Sequence, residues 1–311
     1  MWFTKMQALG NDFICLDAVH QRMERLPELA RYLCDRHFGV GADGMVLICP
    51  SGIGDFRMRI FNPDGTEAQM CGNALRCAGK YVYDHRMTDQ TELKIETLGG
   101  VRKAVLSVSD GVAGSIRTDM GEPEFEAARI PVRTGRKDFI RQPVMVSGVR
   151  VLMTAMSWGN PHAVVFSEEV AGLDTAGYGR EIEHMTELFP EKTNVTFAQF
   201  DVDGSVKIRE WERGAGETIS CGTGCCSAVV AGVLEGLCGR STAVEQIGGM
   251  LYVEWEEETN HVFLTGPSQT VFEAEIRVPG LIKRYEDRES AVPVSSFGRR
   301  TGERRRVYET V

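Results

Sequence analysis

Two stretches of this sequence, 150 positions apart, share one arrangement of residue types around a cysteine. The first runs from Phe61 through Cys71 and the second from Trp211 through Cys221. In both, an aromatic residue stands ten positions before the cysteine, a glutamate stands four positions before it, and a glycine follows it directly. A repeat spanning half the chain indicates a duplicated domain, because solenoid and propeller repeats have periods of only about 20–50 residues.

A second echo supports the duplication. Gly10-Asn11 reappears as Gly159-Asn160, a shift of 149 positions. A chain of 311 residues has a length typical of about two domains. Short runs with β-type composition alternate with a few helical stretches in both halves. We therefore predict a mixed α+β protein of two pseudo-symmetric lobes that arose by internal duplication.

The local patterns predict where the elements lie. The predicted helices are Leu26 to Phe38, Gly72 to His85 and Gly222 to about Cys238. The predicted strands are Phe13 to Asp17, Met45 to Cys49, Phe56 to Phe61, Leu93 to Thr97, Lys103 to Val108, Val112 to Thr118, Val149 to Met156, Ala163 to Phe166, Val195 to Asp201, Val206 to Trp211, Leu251 to Trp255 and Val262 to Leu264.

Composition suggests four segments. We expect an N-terminal lobe over 1–120 carrying Cys71, and a C-terminal lobe over 149–276 carrying Cys221. Between them, three prolines and several charges interrupt any pattern, so 121–148 is predicted to be a connector. The tail, 277–311, holds nine Lys and Arg against five Asp and Glu with few large apolar groups, so we expect it to be weakly ordered.

Charge and cysteine content narrow the function classes. A formal net charge of −9 disfavours a nucleic-acid partner. No apolar run approaches the ~18–20 residues of a membrane span, and the first residues lack the apolar core of a signal peptide. Nine cysteines, an odd number in a chain of this size, favour reduced thiols. The expected setting is the cytoplasm and the expected partner is a small molecule, with no membrane.

Each motif cysteine ends a strand and turn and begins a predicted helix. The first N–H groups of a helix have no intrahelical partner and carry the positive end of its dipole. This setting lowers a thiol pKa from about 8.5 towards neutrality. It also lets the N–H groups of Gly72, Asn73, Gly222 and Thr223 bind a carboxylate. Two such thiols at one cleft, one ionised and one protonated, fit a racemase or epimerase.

The cysteines and the two-part sequence also admit other interpretations. A cysteine at a helix start is more often a packed small apolar residue, but two in matched motifs favour chemistry. No Cys-x-x-Cys and His spacing suggests a metal site, so none is expected. A Cys/His protease would leave one motif unexplained. A non-catalytic, two-lobed amino-acid-binding protein would need neither thiol.

Six motifs in order resemble the diaminopimelate epimerase family, and the resemblance covers residues 3 to 276. They are Leu9 to Phe13, Gly41 to Gly44, Met70 to Asn73 with Arg76-Cys77, Gly159 to His162, Thr193 to Val195, and Trp211 to Gly214 through Cys221 to Gly224. The resemblance implies that each lobe is a mixed, largely antiparallel sheet around a central helix. It also implies a cofactor-independent epimerase of LL- and meso-diaminopimelate in lysine and peptidoglycan precursor biosynthesis, usually a homodimer.

The resemblance assigns roles to individual positions. Cys71 and Cys221 are the expected catalytic pair, and His162 and Glu212 the residues that tune the thiols. The expected substrate-binding residues are Asn11, Gly44, Asn62, Gly72, Asn73, Asn160, Asn194, Glu212, Arg213, Gly222 and Thr223. Two positions depart from the family pattern: many members carry Gln at Gly44, and a frequent Gly is replaced by Ala74. The nearest alternative is a racemase of another amino acid; proline and hydroxyproline racemases typically carry His where Asn73 stands.

Overall fold

The computed structural model describes residues 1–278 and the backbone of residues 282–283. Its helices are α1 (Leu26–Cys34), α2 (Gly72–Asp84), α3 (Thr175–Glu183) and α4 (Gly222–Leu234). Its strands are β1 (Trp2–Ala8), β2 (Asn11–Asp17), β3 (Arg22–Met23), β4 (Gly44–Cys49), β5 (Phe56–Phe61), β6 (Glu67–Ala68), β7 (Glu92–Thr97), β8 (Gly100–Ser109), β9 (Val112–Gly121), β10 (Gln142–Val146), β11 (Val149–Ser157), β12 (Pro161–Phe166), β13 (Asn194–Phe200), β14 (Val206–Glu212), β15 (Gly216–Thr218), β16 (Ser241–Gln246), β17 (Gly249–Trp255), β18 (Val262–Pro267), β19 (Gln269–Glu275) and β20 (Ile282–Lys283).

One hydrogen-bonded sheet contains eighteen of these strands. Counted inwards from either edge, equivalent strands of the two halves follow in the same order. From one edge it runs β19-β1-β2-β4-β5-β7-β8-β9, and it continues β18-β17-β16-β14-β13-β12-β11-β10. Strand β6 adds to β5, and β15 adds to β14 at the equivalent place. Four neighbouring pairs are parallel, two in each half: β2–β4, β5–β7, β12–β13 and β14–β16. The predicted mixed, largely antiparallel α+β fold with an internal repeat is therefore confirmed.

Each half wraps its strands around one central helix. Helix α2 buries eleven residues, and α4 buries ten. Both helices are buried on nearly every side, and α4 is apolar all round, whereas α2 also buries Asn73, Arg76 and Lys80. The core around α2 draws on strands of the first half, and the core around α4 on strands of the second, with Met120 from β9 among them.

The opposite face of each half carries a second, shorter helix. Helix α1 packs Leu29, Ala30 and Leu33 against the first half, and α3 packs Ile182 against the second. Helix α1 was predicted to reach Phe38 and ends at Cys34. The cause is local, because the Asp35 carboxylate accepts the backbone N–H groups of the two residues following Arg36, both at 2.8 Å. Such a turn competes with continued helix.

Helix α4 also ends earlier than predicted, at Leu234. Gly236 adopts a φ of 70°, and the N–H of Leu237 bonds back to the carbonyl of Gly232 at 2.8 Å. This is the left-handed glycine ending that satisfies the last carbonyls of a helix. The helical patterns of the sequence thus predicted both central helices. The glycine cap decided where α4 ends.

Nine elements were not anticipated from the sequence: α3 and the strands β1, β3, β6, β10, β15, β16, β19 and β20. The segment 121–148, expected to be a connector, contains β10, which pairs with β11. Strand β19, at the end of the expected second lobe, pairs with β1 of the first half. These two pairings are equivalent. In each, the strand that follows the last strand of one half pairs with the first strand of the other half: β10 with β11, and β19 with β1. The proposed lobe boundaries remain a prediction.

The Gly-Asn echo marks equivalent hairpin turns. Gly10 joins β1 to β2 with a φ of 83°, and Gly159 lies between β11 and β12 with a φ of 97°. Both are left-handed conformations that residues with a Cβ rarely adopt. Each turn delivers an asparagine, Asn11 or Asn160, at the start of the next strand. Within the part of the chain that the structure describes, no helix is long and apolar enough to cross a membrane.

The C-terminal end offers a test of this arrangement. The expectation of a weakly ordered tail concerns residues lying almost entirely outside the described ones, whereas Ile276 and Val278 pack against the first half. Deleting residues 279–311 should leave the turnover rate within a few-fold. Deleting 269–311 should cause unfolding, because β1 would lose the hydrogen bonds of β19 and the Phe3–Phe272 contact. Circular dichroism and thermal unfolding of both truncations measure this. Equal stability of the two would contradict the role of β19.

Candidate active site

The two motif cysteines occupy the same structural position in the two halves. Cys71 is the N-cap of α2 with φ −146° and ψ 121°, and Cys221 is the N-cap of α4 with φ −130° and ψ 108°. The Cys221 sulfur accepts the N–H of Gly224 at 3.4 Å and lies 3.5 Å from Thr223 Oγ1. The Cys71 sulfur lies 4.0 Å from Asn11 Oδ1. Both thiols thus face the donor end of a helix.

The Asn73 amide connects the two helix starts. Its Nδ2 donates to Asn11 Oδ1 at 3.1 Å and lies 3.4 Å from both the carbonyl and the hydroxyl oxygen of Ser220, the residue before Cys221. Its Oδ1 accepts a hydrogen bond from Arg76 at 2.6 Å. Asn73, a buried residue of the first half, therefore fixes the position of Ser220 and of the adjacent Cys221 relative to α2.

The glutamates four positions before each cysteine belong to the scaffold. Glu67 pairs with Arg59 through two hydrogen bonds of 2.7 Å across β5 and β6. Glu217 pairs with Arg209 across β14 and β15, where Nε and Nη2 both contact Oε1. An Arg–carboxylate pair thus links the two strands of the hairpin that leads to each cysteine. The glutamate four positions before each cysteine is therefore repeated because both halves contain the same hairpin.

Glu212 lies close enough to both thiols to act on each. Burial raises the pKa of both Cys71 and Cys221, and the charge of Glu212 adds to the rise at each. Burial raises the pKa of Glu212 itself, against the lowering effect of its hydrogen bond from Thr218 Oγ1 at 2.6 Å. One carboxylate acting on two cysteines from opposite halves indicates that the thiols share a site.

The expectation that the helix starts lower the thiol pKa values towards neutrality is wrong. Burial raises the pKa of Cys71, although the N–H groups of Ala74 and Asn73 lower it. Burial, followed by the charges of Glu212 and Glu210, raises the pKa of Cys221 well above its usual value. The helix contribution has the predicted sign, but loss of solvation outweighs it.

His162 is fully buried, and its hydrogen bonds determine which ring nitrogen carries the proton. The N–H of Arg213 donates to Asn194 Oδ1 at 2.8 Å, so the Asn194 Nδ2 faces His162 Nε2, at 3.2 Å. An amide nitrogen only donates, so Nε2 accepts and Nδ1 bears the hydrogen. Nδ1 lies 3.5 Å from Glu210 Oε1, and neither of these two buried atoms has a hydrogen-bond partner among the described residues.

Glu210 is the site residue that sequence analysis missed. It is 2 % exposed, and its Oε2 accepts a hydrogen bond from Thr196 Oγ1 at 2.6 Å. The available signal was alternation, since side chains two apart in a strand share a face and Glu212 was already a candidate. His162, Glu210 and Cys221 each offer a potential ligand atom within 4.8 Å of the others.

Strand register shows that this polar cluster exists in one half only. In β12, β13 and β14, His162 pairs with Asn194, and Thr196 pairs with Glu210. The equivalent register positions in β2, β4 and β5 are Phe13 with Gly44, and Val46 with Ile60. The Cys71 side is thus apolar where the Cys221 side carries an imidazole and a carboxylate. The two thiols have matched backbones and unlike surroundings.

The other predicted binding residues lie at the edges of these elements. Asn11 and Asn160 follow the two glycine turns, and Asn194 is buried beside His162. Asn62 Nδ2 is engaged by Thr66 Oγ1 at 3.0 Å. The Arg213 side chain is exposed and donates to the carbonyl of Glu191 at 2.7 Å.

Gly44 lies at the register position equivalent to Asn194. It is buried, and a Cβ there would meet the Phe61 carbonyl at 3.2 Å and the Phe13 ring at 3.4 Å. A side chain is therefore disfavoured on this backbone. Gly72 and Gly222 begin the two central helices beside Asn73 and Thr223, as predicted. Their binding roles remain predictions.

Comparison with known proteins identifies the family. The model of the family described as diaminopimelate epimerase matches residues 3–126 and 154–271. The chain belongs to the diaminopimelate epimerase family. The diaminopimelate epimerase of Methanococcus maripaludis strain C5 is 47% identical over 278 residues, which cover 89% of this chain and 100% of that protein. The enzyme of that name from Acetivibrio thermocellus is 46% identical over 276 residues, covering 89% and 98%. The chain is therefore an isomerase.

Solved structures support the fold. A hydroxyproline epimerase from Agrobacterium vitis superimposes with a TM-score of 0.64 at 18% identity, covering 89% of this chain and 90% of that one. A phenazine biosynthesis protein of the PhzF family from Bacillus anthracis gives the same TM-score at 18% identity, covering 89% and 99%. The two-half architecture is thus shared by proteins of low sequence identity.

The hydrogen bond from Thr196 to Glu210 gives a stability test. Thr196→Val has nearly the same shape and removes the donor, leaving a buried carboxylate oxygen without its partner. We expect a loss of about 1.5–3 kcal/mol in the free energy of unfolding, measured in urea. Thr270→Val, at an exposed position of β19, should change it by less than about 0.5 kcal/mol. A Thr196→Val loss no larger than that of the control would contradict the described network.

Proposed function

We propose that this protein interconverts LL- and meso-2,6-diaminopimelate by moving the proton of one α-carbon between two cysteines. The main support is the placement of Cys71 and Cys221 at equivalent helix N-termini, within the influence of one carboxylate, Glu212. A pseudo-two-fold scaffold presents its two thiols to one molecule from opposite sides. Inversion of a carbon centre requires this arrangement, because the base and the acid act on opposite faces.

The proton count is simple. One cysteine, as the thiolate, removes the α-proton, and the other, as the thiol, delivers its proton to the opposite face. Product release leaves the protons exchanged between the cysteines, so the reverse reaction uses them in the opposite roles. Burial together with Glu212 and Glu210 favours the thiol at Cys221. The charge pattern thus favours Cys71 as the first thiolate.

The two helix starts stabilise the charge that develops during proton removal. An amino acid α-hydrogen is a very weak acid, and its loss places negative charge on the adjacent carboxylate. The unpaired N–H groups at Gly72, Asn73, Gly222 and Thr223 offer donors to that carboxylate. Donors fixed before the reaction lower the barrier because they need no reorganisation. This role requires neither a metal nor an organic cofactor.

Recognition of the distal centre distinguishes diaminopimelate from smaller amino acids. The far end of the substrate carries its own carboxylate and ammonium groups. Arg213 supplies a guanidinium at the rim, suited to a two-pronged bond with a carboxylate. Asn11, Asn62, Asn160 and Asn194 can donate or accept without adding charge. Glu212 is available to an ammonium group.

The alternative is a racemase of another amino acid on the same scaffold. Incubation with LL-diaminopimelate in D₂O, followed by NMR of the α-protons, separates the two. We expect deuterium at one α-carbon with formation of the meso isomer, and little exchange in proline or lysine. Faster exchange in proline or lysine would replace the assigned substrate while retaining the two-thiol mechanism.

Three further assignments accompany this function. We propose a role in lysine and peptidoglycan precursor biosynthesis, as the substrate implies. The cytoplasm is proposed as its location because a reducing compartment keeps thiols such as Cys71 and Cys221 free. A homodimer is proposed from the family resemblance, and light scattering after size exclusion measures it.

Both cysteines should be essential. Cys71→Ala and Cys221→Ala should each abolish epimerisation, because each thiol serves one face of the carbon. Replacement by Ser should leave at most slow exchange, since a hydroxyl is too weak an acid and base near pH 7. The control is Cys238→Ala, a partly buried cysteine at the far end of α4, which should retain activity. Full epimerisation by either motif variant would overturn the two-base mechanism.

The rim arginine should affect binding. Arg213→Met should raise KM for LL-diaminopimelate by roughly 10–100-fold with a smaller change in kcat, because the distal carboxylate loses a charged partner. Arg133→Met, at another exposed arginine, serves as the control and should leave KM unchanged. An unchanged KM in Arg213→Met would place the distal carboxylate elsewhere.

A further inference from the structure

Arg76 is the largest fully buried side chain among the residues that the structure describes. It lies in α2, one turn after Cys71, and its guanidinium bonds only to neutral groups. These are Asn73 Oδ1 at 2.6 Å, and the carbonyls of Gly72 and Pro267, both at 3.4 Å. Across residues 1–278, no Asp or Glu carboxylate lies within 4.0 Å of it.

An unpaired buried cation is unfavourable and requires compensation. Burial lowers the pKa of Arg76, yet a guanidinium keeps its proton in proteins. A buried charge is normally balanced by an opposite charge, since hydrogen bonds to neutral groups recover only part of the lost solvation. The mechanism described so far gives Arg76 no task beyond holding Asn73. A nearby group that becomes negative would account for its charge.

The charges that act most strongly on Arg76 are those of four thiols from α2 and α4: Cys77, Cys71, Cys225 and Cys226. Burial raises the pKa of Cys77 to about 12. It also raises the pKa values of Cys225 and Cys226 well above the usual value for a thiol. These three stay protonated. Cys71 differs in its position, because it is the N-cap of α2 and the N–H groups of Ala74 and Asn73 at the helix start stabilise its ionised form.

The position equivalent to Arg76 in the second half is occupied by a neutral residue. At the shift of 150 it is Cys226, which is fully buried in α4. The second half instead places two carboxylates, Glu210 and Glu212, where they act on Cys221. A buried cation thus accompanies one thiol, and buried anions accompany the other. Glu212 from β14 also acts on Cys71 and raises its pKa by more than Arg76 lowers it, whereas no cation among the described residues offsets the two carboxylates at Cys221.

We propose that Arg76 is the buried counter-charge of Cys71, so that Cys71 is the first of the two active-site thiols to ionise in the substrate-free enzyme. This inference rests on the proposed two-thiol site. The proton lost by Cys71 passes to solvent, and Arg76 neither accepts nor donates one. Its positive charge stabilises the thiolate through space and through Asn73, which it also orients. Arg76 is therefore a positioning residue, since it acts through Cys71 and Asn73.

Alkylation by iodoacetamide reports the thiolate of each cysteine separately. Rates are measured from pH 6 to 10, and mass spectrometry of the peptides containing Cys71 and Cys221 gives a midpoint for each. In the unmodified sequence, Cys71 should react with the lower midpoint. A lower midpoint for Cys221 would overturn the proposal without any substitution.

Two substitutions separate charge from geometry. Arg76→Gln keeps an amide donor for Asn73 and removes the charge, whereas Arg76→Lys keeps the charge with altered geometry. Loss of the charge should raise the Cys71 midpoint by about one unit, a roughly tenfold lower alkylation rate below the midpoint. Arg76→Lys should stay within about 0.3 units of the parent protein. Arg150→Gln, an exposed position on β11, is the control and should change neither midpoint.

The opposite pattern would assign Arg76 a purely structural role. If Arg76→Gln kept the Cys71 midpoint while Arg76→Lys raised it, hydrogen-bond geometry and not charge would be responsible. Thermal unfolding of both variants checks the fold, and if Arg76→Gln fails to fold, the order of the two midpoints in the parent protein and in Arg76→Lys still decides. The readout needs no turnover, so its failure is distinct from a failure of the epimerase assignment, which the deuterium experiment tests.

Discussion

The Asn73 amide holds together the two parts of the molecule on which the candidate chemistry depends. It stands at the start of α2 and reaches Asn11 on one side and Ser220, just before Cys221, on the other. Arg76 fixes the orientation of this amide by donating a hydrogen bond to its Oδ1. Two thiols on separate halves can serve one carbon only if the halves keep a constant spacing. A buried hydrogen bond between them provides that constancy, because leaving such polar groups unpaired is costly.

Two opposing effects act on the thiols, and their relative size shapes the site. The N–H groups at a helix start favour the thiolate, while loss of water favours the thiol. In the substrate-free structure the second effect is larger for both cysteines, and it is largest for Cys221, where carboxylate charge adds to it. Neither thiol is therefore readily ionised by its helix alone. The surrounding charges decide which one gives up its proton first.

The duplicated scaffold gives the two cysteines equivalent backbone positions, and the neighbouring side chains make their surroundings different. Equivalent backbones carry Cys71 and Cys221, while the register places Phe13 and Ile60 against the one and His162 and Glu210 against the other. An inverting enzyme with identical thiols would have no preferred resting state. Apolar packing on one side and a buried polar network on the other give each cysteine its own proton affinity. The same substitutions leave the sheet pairing of the two halves unchanged.

The amino-acid sequence by itself determined the duplication, both central helices and the cysteines at their starts, because repeated spacing and short-range periodicity are local properties. The family motifs also located His162, Asn194 and Glu212. Only the tertiary structure decided the pairing of β19 with β1, the end of α1 at Cys34 and the burial that raises both thiol pKa values. Glu210 and Arg76 belong to this second group. Their importance depends on which groups surround them and on the water excluded, and both properties are set by residues distant in sequence.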